Sequence, residues 1–194
     1  MRIITGRFKG IPIFGPKDKK IRPLKDMVRE SIFNFLTHSN KISFRIENTN
    51  VLDLYSGTGS FGLECISRGA AGAIFIEKEK EAIKILEKNI KKLNVEDKTK
   101  IFSDDVFNII KKHDGTTFSL LAEMKLDLIF CDPPFKDKNI NDLIRLIIEK
   151  DLLRKNGILI LHRHKNAKEK YTNCLKIIDK RVYGLSEIIF GQST

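Results

Sequence analysis

Cysteine and long apolar runs are scarce in this chain of 194 residues, and both absences narrow the class of protein it can be. The three cysteines, Cys65, Cys131 and Cys174, are widely spaced and form no Cys-x-x-Cys pair, which predicts reduced thiols rather than a disulfide framework. No apolar run is long enough to cross a bilayer, and the N-terminus lacks the apolar core of a signal peptide. We therefore expect a cytoplasmic protein with no membrane contact.

Internal repeats and low-complexity segments are absent as well, and what remains has the composition of an ordinary globular protein. With 41% hydrophobic and 31% charged residues, the chain suits one domain with a sizeable core and a small appendage. We expect a monomer that consists of an N-terminal extension, residues 1–48, and a main domain, residues 49–194.

Positive charge is abundant, with a net charge of +11, and it is concentrated at the two ends of the chain. Residues 1–30 hold nine Lys or Arg against three Asp or Glu (+6), and residues 151–194 hold nine against four (+5). Residues 31–150 hold eighteen of each sign. A polyanionic partner such as nucleic acid explains this distribution better than a general lysine bias, because a bias would also charge the middle.

The stretch Val51–Gly62 joins an apolar run to a glycine-rich turn and then to a helical pattern. Gly57 and Gly59 let the backbone bend sharply and approach a ligand, while the free N–H groups of the following helix point back at it. The spacing also matches the dinucleotide-binding fingerprint, so it does not separate a nicotinamide cofactor from S-adenosylmethionine. Asp53 favours S-adenosylmethionine, because a carboxylate in a buried strand is costly unless paired and this ligand carries an ammonium group. The alternative is that Asp53 caps a nearby loop or helix.

Beyond Val51, short apolar strands alternate with helical patterns, which predicts an α/β fold with a mostly parallel sheet covered by helices on both faces. The chain is expected to begin with a small β-hairpin over Met1–Phe14 and a helix over Lys25–Thr37, and to end in an antiparallel hairpin around Gly184. The predicted strands of the main domain are Val51–Tyr55, Ala73–Ile76, Ile101–Phe102, Leu126–Cys131, Ile158–Leu161, Leu175–Tyr183 and Glu187–Phe190. The predicted helices of this domain are Ser60–Arg68, Lys80–Leu93, Val106–Lys112 and Ile140–Leu152. A seven-stranded sheet of this kind is typical of Rossmann-like class I methyltransferases.

The motif Asp132-Pro133-Pro134-Phe135 directly follows the predicted strand Leu126–Cys131. If that strand neighbours Val51–Tyr55, Asp132 lies beside the glycine turn, because ligands of open α/β sheets bind at the carboxyl ends of the strands. The diproline fixes the backbone, so that the carbonyls of Asp132 and Pro133 can accept both hydrogens of a planar exocyclic amine. Phe135 offers a face for base stacking, and the Asp132 carboxylate can accept the amine proton. The alternative is a proline-rich turn that merely ends a strand.

On these motifs the chain resembles the RsmD-type family of bacterial small-subunit (16S) rRNA guanine-N2 methyltransferases. Asp132–Phe135 looks like the (Asn/Asp)-Pro-Pro-aromatic motif of methyltransferases that act on exocyclic amines, and the resemblance covers essentially the whole chain. The other matching segments are Met1–Gly6 with Lys9-Gly10, Arg22-Pro23 with Asp26–Asn34, Val51–Gly62 with Glu64 and Ser67–Ala70, and Tyr183-Gly184.

The resemblance implies methyl transfer from S-adenosylmethionine to the N2 amine of a guanine in small-subunit rRNA, as naked RNA or within an assembling subunit. It implies that Gly57 and Gly59 contact the methionine moiety, that Glu77 holds the ribose hydroxyls, and that an acid near position 105 reads the adenine amine. Asp105 fits that last role better than Asp104, because the small apolar Val106 follows it. The predicted cofactor site is thus Asp53, Tyr55, Gly57, Gly59, Glu77, Asp105 and Val106, and the predicted catalytic site is Asp132, Pro133, Pro134 and Phe135.

The basic N-terminal extension is expected to hold the RNA beside the active site, through Arg7, Lys9, Arg22, Lys25 and Arg29. Two positions depart from the family pattern. Leu24 stands where Thr is frequent, and His162-Arg163-His164 follows the fifth strand where an acid is expected. His162 and His164 share a strand face but no third ligand accompanies them, so no metal site is predicted.

Three other functions fit part of the sequence. A DNA adenine-N6 methyltransferase would share the Asp-Pro-Pro-Phe type of motif, but many of these enzymes have Asn first and a separate target-recognition domain, for which this chain has no room. An NAD-dependent oxidoreductase would need a group for hydride transfer and would not need Asp132–Phe135. A non-catalytic RNA-binding module would use the same basic ends.

Overall fold

The computed structural model describes residues 1–16, 24–111, 116–137, 139–167, 171 and 175–193, and within these residues helices flank one seven-stranded sheet. The strands are β1 (Asn50–Leu54), β2 (Gly72–Ile76), β3 (Thr99–Phe102), β4 (Leu126–Cys131), β5 (Leu153–His164), β6 (Leu175–Tyr183) and β7 (Ser186–Ser193). The helices are α1 (Asp26–His38), α2 (Ser60–Ser67), α3 (Lys80–Leu93), α4 (Val106–Lys111), α5 (Thr116–Met124) and α6 (Ile140–Glu149).

The strand order of the sheet is β3-β2-β1-β4-β5-β7-β6. β1 pairs in parallel with β2 on one side and with β4 on the other, so the direction in which strands are added reverses between β1 and β4. β7 runs antiparallel to both β5 and β6. The order confirms the predicted mostly parallel sheet with its C-terminal antiparallel hairpin. Ligand crevices in such sheets form where the strand order reverses, at the carboxyl ends of β1 and β4.

Helices cover both faces of the sheet because alternate strand residues point into two separate apolar cores. In the first core, Phe61 of α2 stacks against Phe33 of α1 and Phe130 of β4, with ring centroids 5.2 and 4.1 Å away. Ile109 of α4 and Ile144 of α6 belong to the second core. Complete burial of each such side chain contributes roughly 1.5–3 kcal/mol, which holds the strand ends in fixed relative positions.

The N-terminal ribbon, residues 1–14, has less regular structure than the predicted hairpin, since one antiparallel bridge joins Arg2 and Pro12. Much of its backbone bonding goes to α2 instead. Both oxygens of the buried Glu64 carboxylate accept backbone N–H groups of the ribbon, at 2.7 and 2.9 Å. Ile3 is fully buried in the first core. The ribbon therefore packs along α2 as part of the main body.

Several element boundaries agree with the sequence-based prediction, and α3, β4 and β6 agree at both ends. The helix α5 was not predicted, because Thr116 and Thr117 are weak helix formers; it gains stability from Leu121, which is buried in the second core. α6 ends at Glu149 rather than Leu152, and Asp151 adopts a left-handed φ of 49° just after it. In the part of the chain that the structure describes, no helix is long and apolar enough to cross a membrane.

Candidate active site

Two adjoining cavities lie at the carboxyl ends of the central strands. The narrow cavity has a volume of about 40 Å³ and is lined by Asp53, and the wide cavity has a volume of about 270 Å³ and is lined by Glu77 and Phe135. Tyr55, Gly57 and Asp132 border both cavities. The structure thus brings together the two motifs, which are far apart in the sequence, because β1 and β4 are neighbouring parallel strands. The condition under which Asp132 was expected to lie beside the glycine turn is met.

The two glycines of the turn have different roles, since Gly57 lies where a ligand can approach and Gly59 packs against the interior. Gly57 and Gly59 have left-handed φ angles of 55° and 80°, which favour glycine. Gly57 borders both cavities. Gly59 faces the interior, where a Cβ would lie 2.2 Å from Cδ1 of Leu86. Position 59 therefore requires glycine because of its left-handed φ and its close packing against α3. Gly57 is the position that a ligand can approach.

Asp53 is the deepest acid of the site, with 1% of its surface exposed. Its Oδ2 accepts the backbone N–H of Gly62 at 2.9 Å, so the capping role that the sequence left open is present. Burial raises the pKa of Asp53, the hydrogen bond to Gly62 opposes that shift, and the charges of Asp132 and Glu77 add to it. A carboxyl group held in this way beside a cavity is a site where a cationic ligand would be stabilised.

Glu77 follows β2 and has both carboxylate oxygens engaged by backbone N–H groups. Oε2 accepts from Gly57 at 2.7 Å, and Oε1 accepts from Lys78 and Glu79 at 2.9 Å each. The carboxylate thereby links the glycine turn of β1 to the loop that precedes α3. It also lines the wide cavity, where its remaining acceptor capacity can face a hydroxyl-bearing ligand.

Asp104 and Asp105 stand at the start of α4, and neither they nor Val106 line the two cavities. Oδ1 of Asp105 accepts the N–H of Phe107 at 2.9 Å, and Oδ2 lies 3.2 Å from Nζ of Lys78. Oδ1 of Asp104 accepts the N–H of Asp105 at 2.7 Å. Both acids thus bond near the helix start, and their assignment as adenine-reading groups stays a prediction.

Asp132 begins the loop that follows β4, and its N–H approaches the carbonyl oxygen of Leu54 at 3.4 Å. Pro133, Pro134 and Phe135 continue the loop along the wall of the wide cavity. The Phe135 ring lies edge-on to the imidazoles of His162 and His164, with both centroid distances 5.4 Å. The loop therefore presents a carboxylate and an aromatic ring to the same cavity.

Arg163 was given no role by the sequence analysis. This residue is 1% exposed, and its side chain bonds to the loop that follows β4. Its guanidinium donates to the carbonyl of Asp137 at 2.7 Å and approaches that of Pro134 at 3.4 Å. From the other side, the Tyr55 hydroxyl donates to Oδ2 of Asp137 at 3.5 Å. Burial raises the pKa of Tyr55, so the hydroxyl remains a donor. The predicted strand ended at Leu161, whereas β5 extends to His164 and includes Arg163. A basic residue directly after an apolar strand was the one available signal for such an anchor.

His162 also lines the wide cavity, and with His164 it flanks Phe135. Within the described ranges, no group of three or more His, Cys, Asp or Glu side chains could hold a metal ion. His162 contacts the aromatic ring and lies at ion-pair distance from Asp132, and His164 contacts the aromatic ring.

One predicted RNA-binding residue requires correction. Arg29 is 0% exposed, and its guanidinium bonds to the carbonyl of Arg2 and, at 3.0 Å, to the carboxylate of Asp26. Arg29 therefore joins α1 to the ribbon. Its buried guanidinium would be costly without these two acceptors. Lys25 is exposed one residue after Leu24, which lines the narrow cavity.

Arg7 and Lys9 are exposed, but at the far end of the ribbon. The N–H of Arg7 bonds to the carbonyl of Ser67, at the last turn of α2, at 2.7 Å. With 1.5 Å per residue, α2 separates this tip from the cavities by about 12 Å. The tip thus lies about one length of α2 from the cavities, and its role in holding RNA beside the active site stays a prediction. Arg22, together with Lys17, Lys19 and Lys20, lies outside the described residues.

Comparison with known proteins agrees with this architecture. A family model described as "Conserved hypothetical protein 95" matches residues 1–192. The ribosomal RNA small subunit methyltransferase D of Buchnera aphidicola (subspecies Acyrthosiphon pisum) is 31% identical over 84% of this chain and 78% of that protein. The Escherichia coli K12 protein of the same name is 30% identical over 82% and 72%.

Among solved structures, "Putative methyltransferase yhhF from Escherichia coli" superposes with a TM-score of 0.81 at 25% identity, covering 100% of this chain and 97% of that one. The family model spans nearly the full sequence, and two relatives reach 30% identity over most of their length. The chain therefore belongs to this family, that of the RsmD-type methyltransferases.

Proposed function

We propose that the protein transfers the methyl group of S-adenosylmethionine to the exocyclic N2 amine of a guanine in small-subunit rRNA. Family membership supports methylation of rRNA, because the relatives above carry that name. The proposal that the methyl acceptor is an amine rests on the position of Asp132, which borders both cavities beside Asp53 and Phe135.

The residues of the narrow cavity fit the methionine end of S-adenosylmethionine. The Ser56 hydroxyl lines this cavity and is buried without a hydrogen-bond partner among the described residues. Such an orphaned group is costly unless a ligand satisfies it. Asp53 and Ser56 would hold the ammonium and carboxylate groups, and Glu77 would hold the ribose hydroxyls. When bound, S-adenosylmethionine supplies a methyl group activated by the sulfonium charge.

The loop after β4 would receive the target amine. The amine nitrogen forms a bond to the methyl carbon as the carbon–sulfur bond breaks, and it releases one proton, for which the Asp132 carboxylate is the acceptor. Phe135 supplies a face for the guanine ring. Arg163 and Tyr55 keep the loop in place, which matters because positioning contributes most of the rate in such displacements.

The decisive experiment gives the purified protein S-adenosylmethionine and small-subunit rRNA that lacks its modifications, both as naked RNA and within assembling subunits. We expect N2-methylguanosine when the digested nucleosides are analysed by mass spectrometry. N6-methyladenosine would establish the adenine-N6 alternative. If the protein binds S-adenosylmethionine and rRNA but methylates neither the naked RNA nor the assembling subunits, it is a non-catalytic RNA-binding module.

Replacing the acceptor tests the assigned chemistry directly. We expect Asp132→Ala to lower turnover by about 10²–10⁴-fold, because a positioned proton acceptor is lost. Affinity for S-adenosylmethionine, measured by calorimetry, should stay nearly the same. Asp142→Ala, which removes an exposed acid of α6, is the matched control and should behave as the wild type. Full activity of the Asp132→Ala enzyme would contradict the assignment.

A further inference from the structure

His162 is a buried residue of β5 that borders the wide cavity and has no part in the chemistry described above. Its side chain is 7% exposed, and its Nδ1 lies 2.8 Å from Oδ1 of Asp132. Its Nε2 lies 2.8 Å from Oγ of Ser186, which is buried at the start of β7. The imidazole thus stands between the proposed proton acceptor and a hydroxyl group.

The distances restrict where the protons of this group can lie. A carboxylate oxygen and an unprotonated ring nitrogen at 2.8 Å would repel each other, so Nδ1 must carry a proton when Asp132 is ionised. A hydroxyl that donates to Nε2 favours that tautomer, since the bond made by one ring nitrogen sets the state of the other. The Ser186 hydroxyl is in position to do so.

The contact at Nδ1 is close but not yet aligned. Nδ1 is buried and makes no hydrogen bond of good geometry within the described residues, although Oδ1 of Asp132 is at bonding distance. Active-site hydrogen bonds are often misaligned in the free enzyme and tighten when the substrate is bound. A small rotation of the Asp132 carboxylate, whose side chain is 21% exposed, completes this bond.

We propose that His162 is a positioning residue that donates a hydrogen bond to Asp132 and orients its carboxylate towards the target amine. Ser186 Oγ–H donates to Nε2, and Nδ1–H donates to Oδ1 of Asp132, which leaves Oδ2 for the amine. His162 takes no proton from the substrate. The inference rests on the proposed function, in which Asp132 accepts the amine proton.

The surroundings of Asp132 show why such a donor is needed. Asp53 and Glu77, which line the same cavities, are acids and offer no N–H donor to hold the Asp132 carboxylate. In the described part of the chain, His162 is the one basic side chain within ion-pair distance of Asp132. The other titratable or charged groups around the loop are Tyr55, Cys131, Asp137, Arg163 and His164.

Three substitutions separate positioning from mere packing. His162→Leu removes both hydrogen bonds, His162→Asn keeps an N–H donor close to the place of Nδ1, and His162→Gln moves it towards Ser186. We expect His162→Leu to lower kcat by about 10²-fold, as a misplaced catalytic group does, with little change in KM for S-adenosylmethionine. His162→Asn should restore most of the lost turnover, because it returns an N–H donor to the Asp132 carboxylate, and His162→Gln should not.

A wild-type kcat in His162→Leu would overturn the proposal. Should that variant fail to fold, the Asn and Gln variants carry the test, and equal kcat values for these two would overturn it equally. A readout independent of activity is the nitrogen NMR spectrum of labelled histidine, which should show His162 protonated at Nδ1. A spectrum with the proton on Nε2 alone would contradict the proposal.

These results remain distinct from a failure of the proposed function. If the wild-type protein methylates no rRNA, the proposed function fails whatever the histidine variants do. If the wild type is active and insensitive to changes at His162, only the inference about His162 fails.

Discussion

At the scale of single residues, Asp53 shows a conflict between stability and ligand binding. Its burial and the charges of Asp132 and Glu77 raise its pKa, so the ionised form is unfavourable in the folded chain. The same features make the carboxylate a strong partner for an ammonium group. Functional sites often retain such costly groups because the ligand repays the cost on binding.

This conflict predicts a pH-dependent gain in stability for Asp53→Asn. The folded-state pKa lies above the unfolded value of about 3.9, so the folded state holds more protons between the two values and wild-type stability falls as pH rises through that window. Asparagine does not titrate, and the melting temperature of the variant should gain on the wild type by a few degrees between about pH 5 and about pH 8. Thermal unfolding without ligand measures this, with Asp142→Asn as the control. The prediction would be contradicted if the difference in melting temperature between the variant and the wild type were the same at both pH values. The variant should also lose S-adenosylmethionine binding.

At the scale of structural elements, the loop after β4 takes its shape from its neighbour β5. Arg163 contributes a buried guanidinium that bonds to the carbonyl of Asp137 at 2.7 Å. Arginine suits this place because its planar group carries several donors and stays charged. The order β1-β4-β5 therefore provides the acid, the aromatic ring and their support from adjacent strands.

We expect Arg163→Met to weaken both the fold and the catalytic loop. Loss of a hydrogen bond from a charged donor costs roughly 1.5–3 kcal/mol, which corresponds to a melting temperature several degrees lower. Turnover should fall more than affinity for S-adenosylmethionine, because the displaced groups face the target amine. Arg145→Met, which removes an exposed arginine of α6, should change neither property. An unchanged melting temperature and turnover in Arg163→Met would show that the loop holds its shape alone.

At the scale of the whole molecule, the basic surface is spread more widely than the sequence alone indicated. Lys25 lies near the narrow cavity, whereas Arg7 and Lys9 lie at the ribbon tip, about 12 Å away along α2. We propose that the rRNA substrate extends along this side of the molecule. One RNA would then place a base in the wide cavity and its phosphate backbone at the tip of the ribbon.

Salt dependence tests this footprint. Each phosphate contact on a single strand contributes a slope of about −0.7 to the log–log salt dependence, so replacing Arg7, Lys9 and Lys25 with Gln should flatten it by about 2. RNA affinity should fall, and S-adenosylmethionine affinity should not change. The control replaces Lys98, Lys100 and Lys125, which are exposed at the amino ends of the strands. Equal slopes for the two triple variants would mean that the N-terminal charge is only solubilising.

The sequence by itself determined those features that depend on neighbours in the chain. Helix α3 agrees with its apolar spacing, and the turn at Gly57 and the loop at Asp132 agree with their local chemistry. Glycine permits left-handed backbone angles and proline fixes φ wherever they stand. The strand–helix alternation was also sufficient to predict a mostly parallel sheet with helices on both faces, since few topologies satisfy it.

Tertiary structure decided everything that depends on residues far apart in sequence. Arg29 has the charge of an RNA-binding residue, yet contacts with the ribbon bury it. His162 and Arg163 are adjacent in the chain, but the alternation of β5 turns the first towards Asp132 and the second towards the back of the loop. Such roles follow from side-chain packing between strands, and packing is a property of the assembled fold rather than of any local pattern.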